Sequence, residues 1–214
     1  MDVRSETLRY LGYKGEPDPQ TKELLDLAER ELQKTVKPAF CWKVFKKADC
    51  GSILTGRDIE NHLRNSDRII LFAATLGVSA DRIIRTAEIG NMAYALVLDA
   101  YASAVIEEFC DNCEKEMKEK TGGFYTTRFS PGYGDYPVSL QSEFIRILSA
   151  DKLAGLTATE NHILVPRKSV TAVIGISDYE QTETGNKCDN CNMRNTCRFR
   201  KEGKNCGHKN TFES

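Results

Sequence analysis

A chain of 214 residues can bury one good core, or one core with a small appendage. Its 30 Lys and Arg against 31 Asp and Glu leave a formal charge of -1, which excludes a chain-wide electrostatic pull towards nucleic acid or membrane. No apolar run approaches the roughly 20 residues a bilayer span requires, and Met1-Asp-Val-Arg-Ser-Glu6 lacks the basic-then-apolar order of an export signal, so a cytoplasmic address is expected. Eight cysteines in such a chain argue against a disulfide framework and for metal or redox use of some of them.

Residues 1–17 are polar around Leu8, Leu11 and Tyr13, and Pro17 and Pro19 stop any helix there. Asp18-Pro-Gln-Thr21 supplies start signals for a helix to about Lys34, with Leu24, Leu27, Ala28 and Leu32 as its apolar stripe. Ala39–Phe45 alternates well enough for a strand, with Trp42 in it, and Cys41 and Cys50 read as core and loop residues. Thr55 is placed to cap a short helix ending at Asn61 or Leu63, on which His62 has no second ligand at metal spacing.

The continuous apolar run Arg68–Leu76 predicts a strand buried on both faces. After it, Ser79 caps a single long helix from Asp81 to about Lys120, with Ile84, Ala87, Met92, Ala95, Leu98, Ala102, Val105 and Phe109 at helical spacing. Gly90 and the many alanines imply close packing on a neighbour. Of its carboxylates, Glu88 reads as solvated, whereas Asp99, set among Leu96, Val97, Leu98 and Ala100, is the better candidate for a structural or ligand-orienting acid. Cys110-Asp-Asn-Cys113 is a C-x-x-C with no partner pair nearby, so a packing role leads.

Gly122-Gly123 ends the helix, and Tyr125–Phe129 reads as a strand. It leads into Arg128-Phe-Ser-Pro-Gly-Tyr-Gly-Asp-Tyr-Pro137, a loop whose glycines tolerate φ > 0 and let a ligand approach the backbone. Arg128 offers a planar fork suited to the carboxylate of an amino-acid moiety, or an ordinary surface ion pair. Tyr133 can stack or hydrogen-bond, and Gly132 leaves its backbone open. Ser139 starts a helix over Leu140–Ser149 with Phe144, Ile147 and Leu148 inward. Thr157–Ser177 reads as two strands around a turn, with Glu160 able to face a ligand and His162 two positions on along the same strand face. Strands, a long helix and strands again predict α+β: a twisted, mostly antiparallel sheet packed with helices. No G-x-G-x-x-G follows a strand, which disfavours methyl transfer on a nucleotide-binding fold.

The pattern Arg128-x-x-x-Gly132-Tyr133, with Thr157-x-x-Glu160 and Pro166–Ala172 downstream, resembles the activation (reactivation) domain of cobalamin-dependent methionine synthase, over about Ser52 to Ile176. The resemblance implies that Arg128, Gly132, Tyr133, Glu160 and Asp99 bind S-adenosylmethionine, Asp99 falling where that family has an Asp. It further implies an accessory subunit for methionine synthase or a related corrinoid methyltransferase, a non-autonomous methyltransferase component used in reductive remethylation. The chain departs from the family at Gly-Tyr-Gly-Asp-Tyr-Pro137, where the family has Gly-Tyr-Pro. No cobalamin-binding Asp-x-His-x-x-Gly occurs, so the corrinoid is expected on a partner.

The expected organisation is an N-terminal segment over 1–51, the activation-domain-like core over 52–178 and a Cys-rich basic tail over 179–214. In the tail, Cys188, Cys191, Cys197 and Cys206 can close around one metal centre, either an iron–sulfur cluster or zinc. Seven Lys or Arg between Lys187 and Lys209 face two carboxylates, a charge that can guide an acidic electron donor such as a flavodoxin. The competing reading is a zinc-bearing nucleic-acid or protein interaction module; the overall charge and the poor RNA-motif content weigh against it.

Overall fold

A computed structural model describes residues 2–179, which lie within the first of two compact units, Met1–Tyr179. Tail residues Cys188, Cys191, Cys197 and Cys206 lie outside the described residues. The fold is α+β, a four-stranded antiparallel sheet with helices on both faces. Helix α1 (Val3–Tyr10) and helix α2 (Pro19–Thr35) precede strand β1 (Ala39–Lys46), a 3-10 segment (Lys47–Ile53), α3 (Arg57–His62) and β2 (Arg68–Thr75). Helices α4 (Val78–Gly90) and α5 (Met92–Thr121) follow, then β3 (Phe124–Tyr125), α6 (Gln141–Leu148), α7 (Ala150–Leu153), β4 (Thr157–Ala158), β5 (Leu164–Val165) and β6 (Ser169–Ser177). Sheet order is β1-β2-β6-β3, and β4 pairs with β5 in a separate small ribbon.

The sheet explains the unbroken apolar run in β2. Even-numbered Ile70, Phe72 and Ala74 face a core shared with α2, α4 and α5, whereas Ile69, Leu71 and Ala73 face a second core shared with Tyr136, Phe144 and Leu148. Alternate side chains point to opposite sides of a strand, so a strand covered on both faces must be apolar throughout. β6 repeats the pattern with Ala172, Ile174 and Ile176 on the first core and Val173 on the second.

Several local expectations need correction. The long helix is two helices: Asn91 adopts φ -154, and its side chain accepts a hydrogen bond from Tyr94 N at 3.0 Å, capping a new start. The break turns Met92 outwards, 67% exposed, while Ala95, Leu98 and Ala102 stay buried. Residues upstream of Pro17 do form a helix, α1, because Asp2 caps it with bonds from Arg4 N and Ser5 N, and the prolines lie beyond its end. α2 starts as expected, with Asp18 as cap and Pro19 in the first turn, but Leu25 is buried where Leu27 is exposed. Gly56, not Thr55, precedes α3, and Gly77, not Ser79, precedes α4. The Tyr125–Phe129 strand shrinks to Phe124–Tyr125 plus a bridge from Phe129 to Val173. Thr157–Ser177 is no simple hairpin: β4 and β5 pair locally, and β6 then joins β2 along its whole length. No helix among the described residues is long and apolar enough to cross a membrane.

Candidate functional site

The loop from Ser130 to Pro137 is closed on itself by backbone bonds. Tyr133 N donates to Ser130 O at 3.2 Å, Tyr136 N to Tyr133 O at 3.0 Å, and Gly132 N to Tyr136 O at 2.8 Å. Gly132 has φ 98 and Gly134 φ 56, backbone that L side chains rarely adopt. An added Cβ on Gly132 would meet only Val138, at 3.8 Å, so the backbone there is open to a ligand. Tyr133 stands at the tip, 68% exposed, whereas Tyr136 is buried and its hydroxyl donates to Ile53 O at 2.8 Å. Burial pushes the Tyr136 phenol well above the ordinary tyrosine range.

Arg128, at the entry to this loop, turns its guanidinium towards α5. Nη1 lies 2.5 Å from Glu114 Oε1, and Nη2 lies 3.0 Å from Glu107 Oε2 and 3.1 Å from Asp111 Oδ1. Burial works against the cation, but Glu114 and the neighbouring anionic groups prevail, and the pKa of Arg128 lies above the ordinary arginine value. Glu114 also pairs with Lys118 at 3.2 Å. Carboxylates outnumber cations in this cluster. The i, i+4, i+7 spacing of Glu107, Asp111 and Glu114 was a readable signal for one acidic helix face.

The other predicted site residues are distributed more widely. Asp99 pairs with Lys168 at 2.8 Å, and Lys168 also donates to Asp99 O and Ser103 Oγ, so this acid fastens the turn before β6 to α5. Asp99 precedes Glu107 by about two helical turns, roughly 12 Å along the axis. It therefore lies apart from the Arg128 cluster. A small crevice beside Asp99 is lined by Asp81, Ile84, Arg85, Arg167 and Lys168. Glu160 is exposed in the turn between β4 and β5 rather than in a strand, and His162, at φ 60, is in that turn rather than on a strand face. His162 Nδ1 lies 3.2 Å from Ser142 Oγ at the start of α6. Val138 beside Gly132 and Ser142 beside His162 place the loop and the Glu160 turn at the same end of α6. Tyr133, Val138 and Ile163 form exposed apolar surface there. A groove of about 240 Å³ lined by Lys47, Leu54, Ile59, Glu60 and Leu63 contains none of the predicted residues.

Cys41, Cys50, Cys110 and Cys113 are all free and buried. Cys110 and Cys113 sit in the first core, and burial pushes the Cys113 thiol up to about 12 and that of Cys110 further, as befits packing residues rather than nucleophiles. His62 Nε2 lies 2.8 Å from Thr127 O and its ring 5.0 Å from that of Phe129. Among the described residues no cluster of His, Cys, Asp and Glu is arranged to hold a metal.

Two residues not singled out from the sequence, Asp58 and Asp135, join the loop to α3. Asp135 Oδ2 accepts from Arg57 N at 2.8 Å and Oδ1 from Asp58 N at 2.9 Å, while Asp58 Oδ2 accepts from Asp135 N at 3.1 Å. These backbone donors hold the Asp135 carboxyl below the usual range.

No family model matches the chain, and no curated protein matches it at a significant level. Among solved structures, a crystal structure of the MetH reactivation domain bound to AdoHcy matches with a TM-score of 0.53 at 16% identity, over 76% of this chain and 67% of that one. At that identity the likeness is one of fold, and the chain has the α+β architecture of that reactivation domain.

Proposed function

We propose that this chain binds S-adenosylmethionine on the Ser130–Pro137 loop and serves as an activation subunit for cobalamin-dependent methionine synthase or a related corrinoid methyltransferase. The observation that carries this reading is a closed loop with an accessible Gly132 backbone and an exposed Tyr133, on a fold like that of a domain that binds AdoHcy. A reduced corrinoid on the partner would supply the methyl-accepting chemistry, with S-adenosylhomocysteine as the leaving product. What this chain contributes is position. Tyr133 provides a ring for stacking, Gly132 provides close backbone approach, and Glu160 lies at the same end of α6. The carboxylate excess around Arg128 suits a ligand carrying a sulfonium and an ammonium. Arg128 takes the ligand carboxylate by exchanging one of its present partners. Asp99 acts at one remove, through the Lys168 turn.

In this reading Cys188, Cys191, Cys197 and Cys206 bind a metal centre, iron–sulfur or zinc, and a flavodoxin or another donor delivers electrons to the partner. Calorimetry with S-adenosylmethionine on the purified protein tests the core of the proposal. One-to-one binding that weakens at least tenfold in Tyr133→Ala is expected, and a wild-type protein that does not bind refutes it.

A further inference from the structure

We infer that Asp58 and Asp135 are positioning residues for the ligand loop, a reciprocal clamp that orders Gly132 and Tyr133 before any ligand arrives. The inference rests on the S-adenosylmethionine reading of that loop. The residue preceding α3, Gly56, offers no side chain to cap the helix, so the free N–H groups of Arg57 and Asp58 need an acceptor from elsewhere. Asp135 supplies one oxygen to each, across 78 and 77 residues of chain, and Asp58 returns a bond to the amide of Asp135. This is a capping box built in trans, with two carboxylates each accepting from the other's backbone.

The two acids and the neighbouring glycines are closely packed. A Cβ on Gly134 would fall on the Asp58 carboxylate, and one on Gly56 would lie 2.7 Å from Asp135 Oδ1. One residue on, Tyr136 is buried with its ring 6.0 Å from that of Phe129 and its hydroxyl on Ile53 O. Phe129 in turn exchanges both backbone bonds with Val173 at 2.9 Å. The loop is therefore fastened at one end to β6 and near the other to α3, and Gly132, Tyr133 and Gly134 between these points are exposed. A loop ordered in advance spares the ligand the entropy of ordering it, so loosening the clamp should weaken binding without altering any group that touches the ligand.

Asp135→Ala and Gly134→Ala test this in the full chain, with three readouts: the thermal melt, amide hydrogen exchange without ligand, and S-adenosylmethionine affinity by calorimetry. The expected result is a melt that stays cooperative, exchange of the Gly132 and Tyr136 amides faster by about tenfold or more, and a Kd weaker by about tenfold. Unchanged exchange in both variants overturns the clamp. Faster exchange with unchanged affinity overturns its positioning role. If the wild type itself does not bind, the ligand reading and the positioning role fall together, while the exchange data still decide whether the carboxylates order the loop.

Discussion

Replacing Arg128 by Ala separates two roles of the same side chain. The guanidinium is 18% exposed and touches Glu107, Asp111 and Glu114 at 2.5–3.1 Å, with Glu114 itself only 15% exposed. Removing one partner of a fully buried pair costs about 3–5 kcal/mol. Glu107 and Asp111 are 39% and 44% exposed, so water screens part of that loss. Lys118 still partners Glu114. A net destabilisation of about 2 kcal/mol follows, and for a chain of this size it corresponds to a melting temperature lower by about 4–8 °C. Circular dichroism melts check the temperature, and urea titration with an unchanged slope confirms that stability rather than denatured-state structure has changed. A melt within about 1 °C of wild type refutes the claim that this cluster fastens the loop entry to α5. If the melt drops as expected while S-adenosylmethionine affinity stays at the wild-type value, Arg128 is a fastener and not a ligand contact.

Tyr136→Phe removes the donor to Ile53 O and should cost about 1–2 kcal/mol, read as a lower urea midpoint, since the carbonyl is left without that partner. Alkaline stability follows from burial: the phenol of Tyr101 is pushed up to about 12 from 10.0, and the Cys113 thiol to about 12 from 9.0. Each is raised on folding, so its contribution is intact below the unfolded value and is lost as pH rises towards the folded one; melts should hold up to about pH 9 and fall steadily by pH 12. A flat melting temperature across that range contradicts the burial argument. Truncation after Tyr179 should leave a cooperative melt close to that of the full chain, because β6 ends at Ser177 and Asp178 still reaches Arg68 at 3.5 Å. Metal analysis after anaerobic purification should find iron with sulfide, or zinc, in the full chain and neither in the truncated one; a metal-free full chain removes the four tail cysteines from the proposal.

The amino-acid sequence alone determined features whose causes lie within a few residues. Arg68–Thr75 is apolar at every position from Ile69 to Ala74, and only a strand covered on both faces satisfies that run. Asp18 followed by Pro19 starts α2 because a cap needs only the next turn. The open Gly132 and the exposed Tyr133 likewise follow from the local turn chemistry of Ser-Pro-Gly-Tyr-Gly. Tertiary structure decided whatever depends on where the chain returns. The apolar periodicity runs straight through Asn91, and the break became visible only in the backbone that its side chain caps. Residues 169–177 carry the same β-branched pattern whichever strand they join, and register with β2, about a hundred residues upstream, chose the partner. Nothing beside Arg128 in the sequence names its ion-pair partners, and packing against α5 brings three carboxylates to it. Asp58 and Asp135 carry no local mark at all, because a cap supplied across 77 residues is set by the packing that carries the loop onto α3, not by the residues beside either acid.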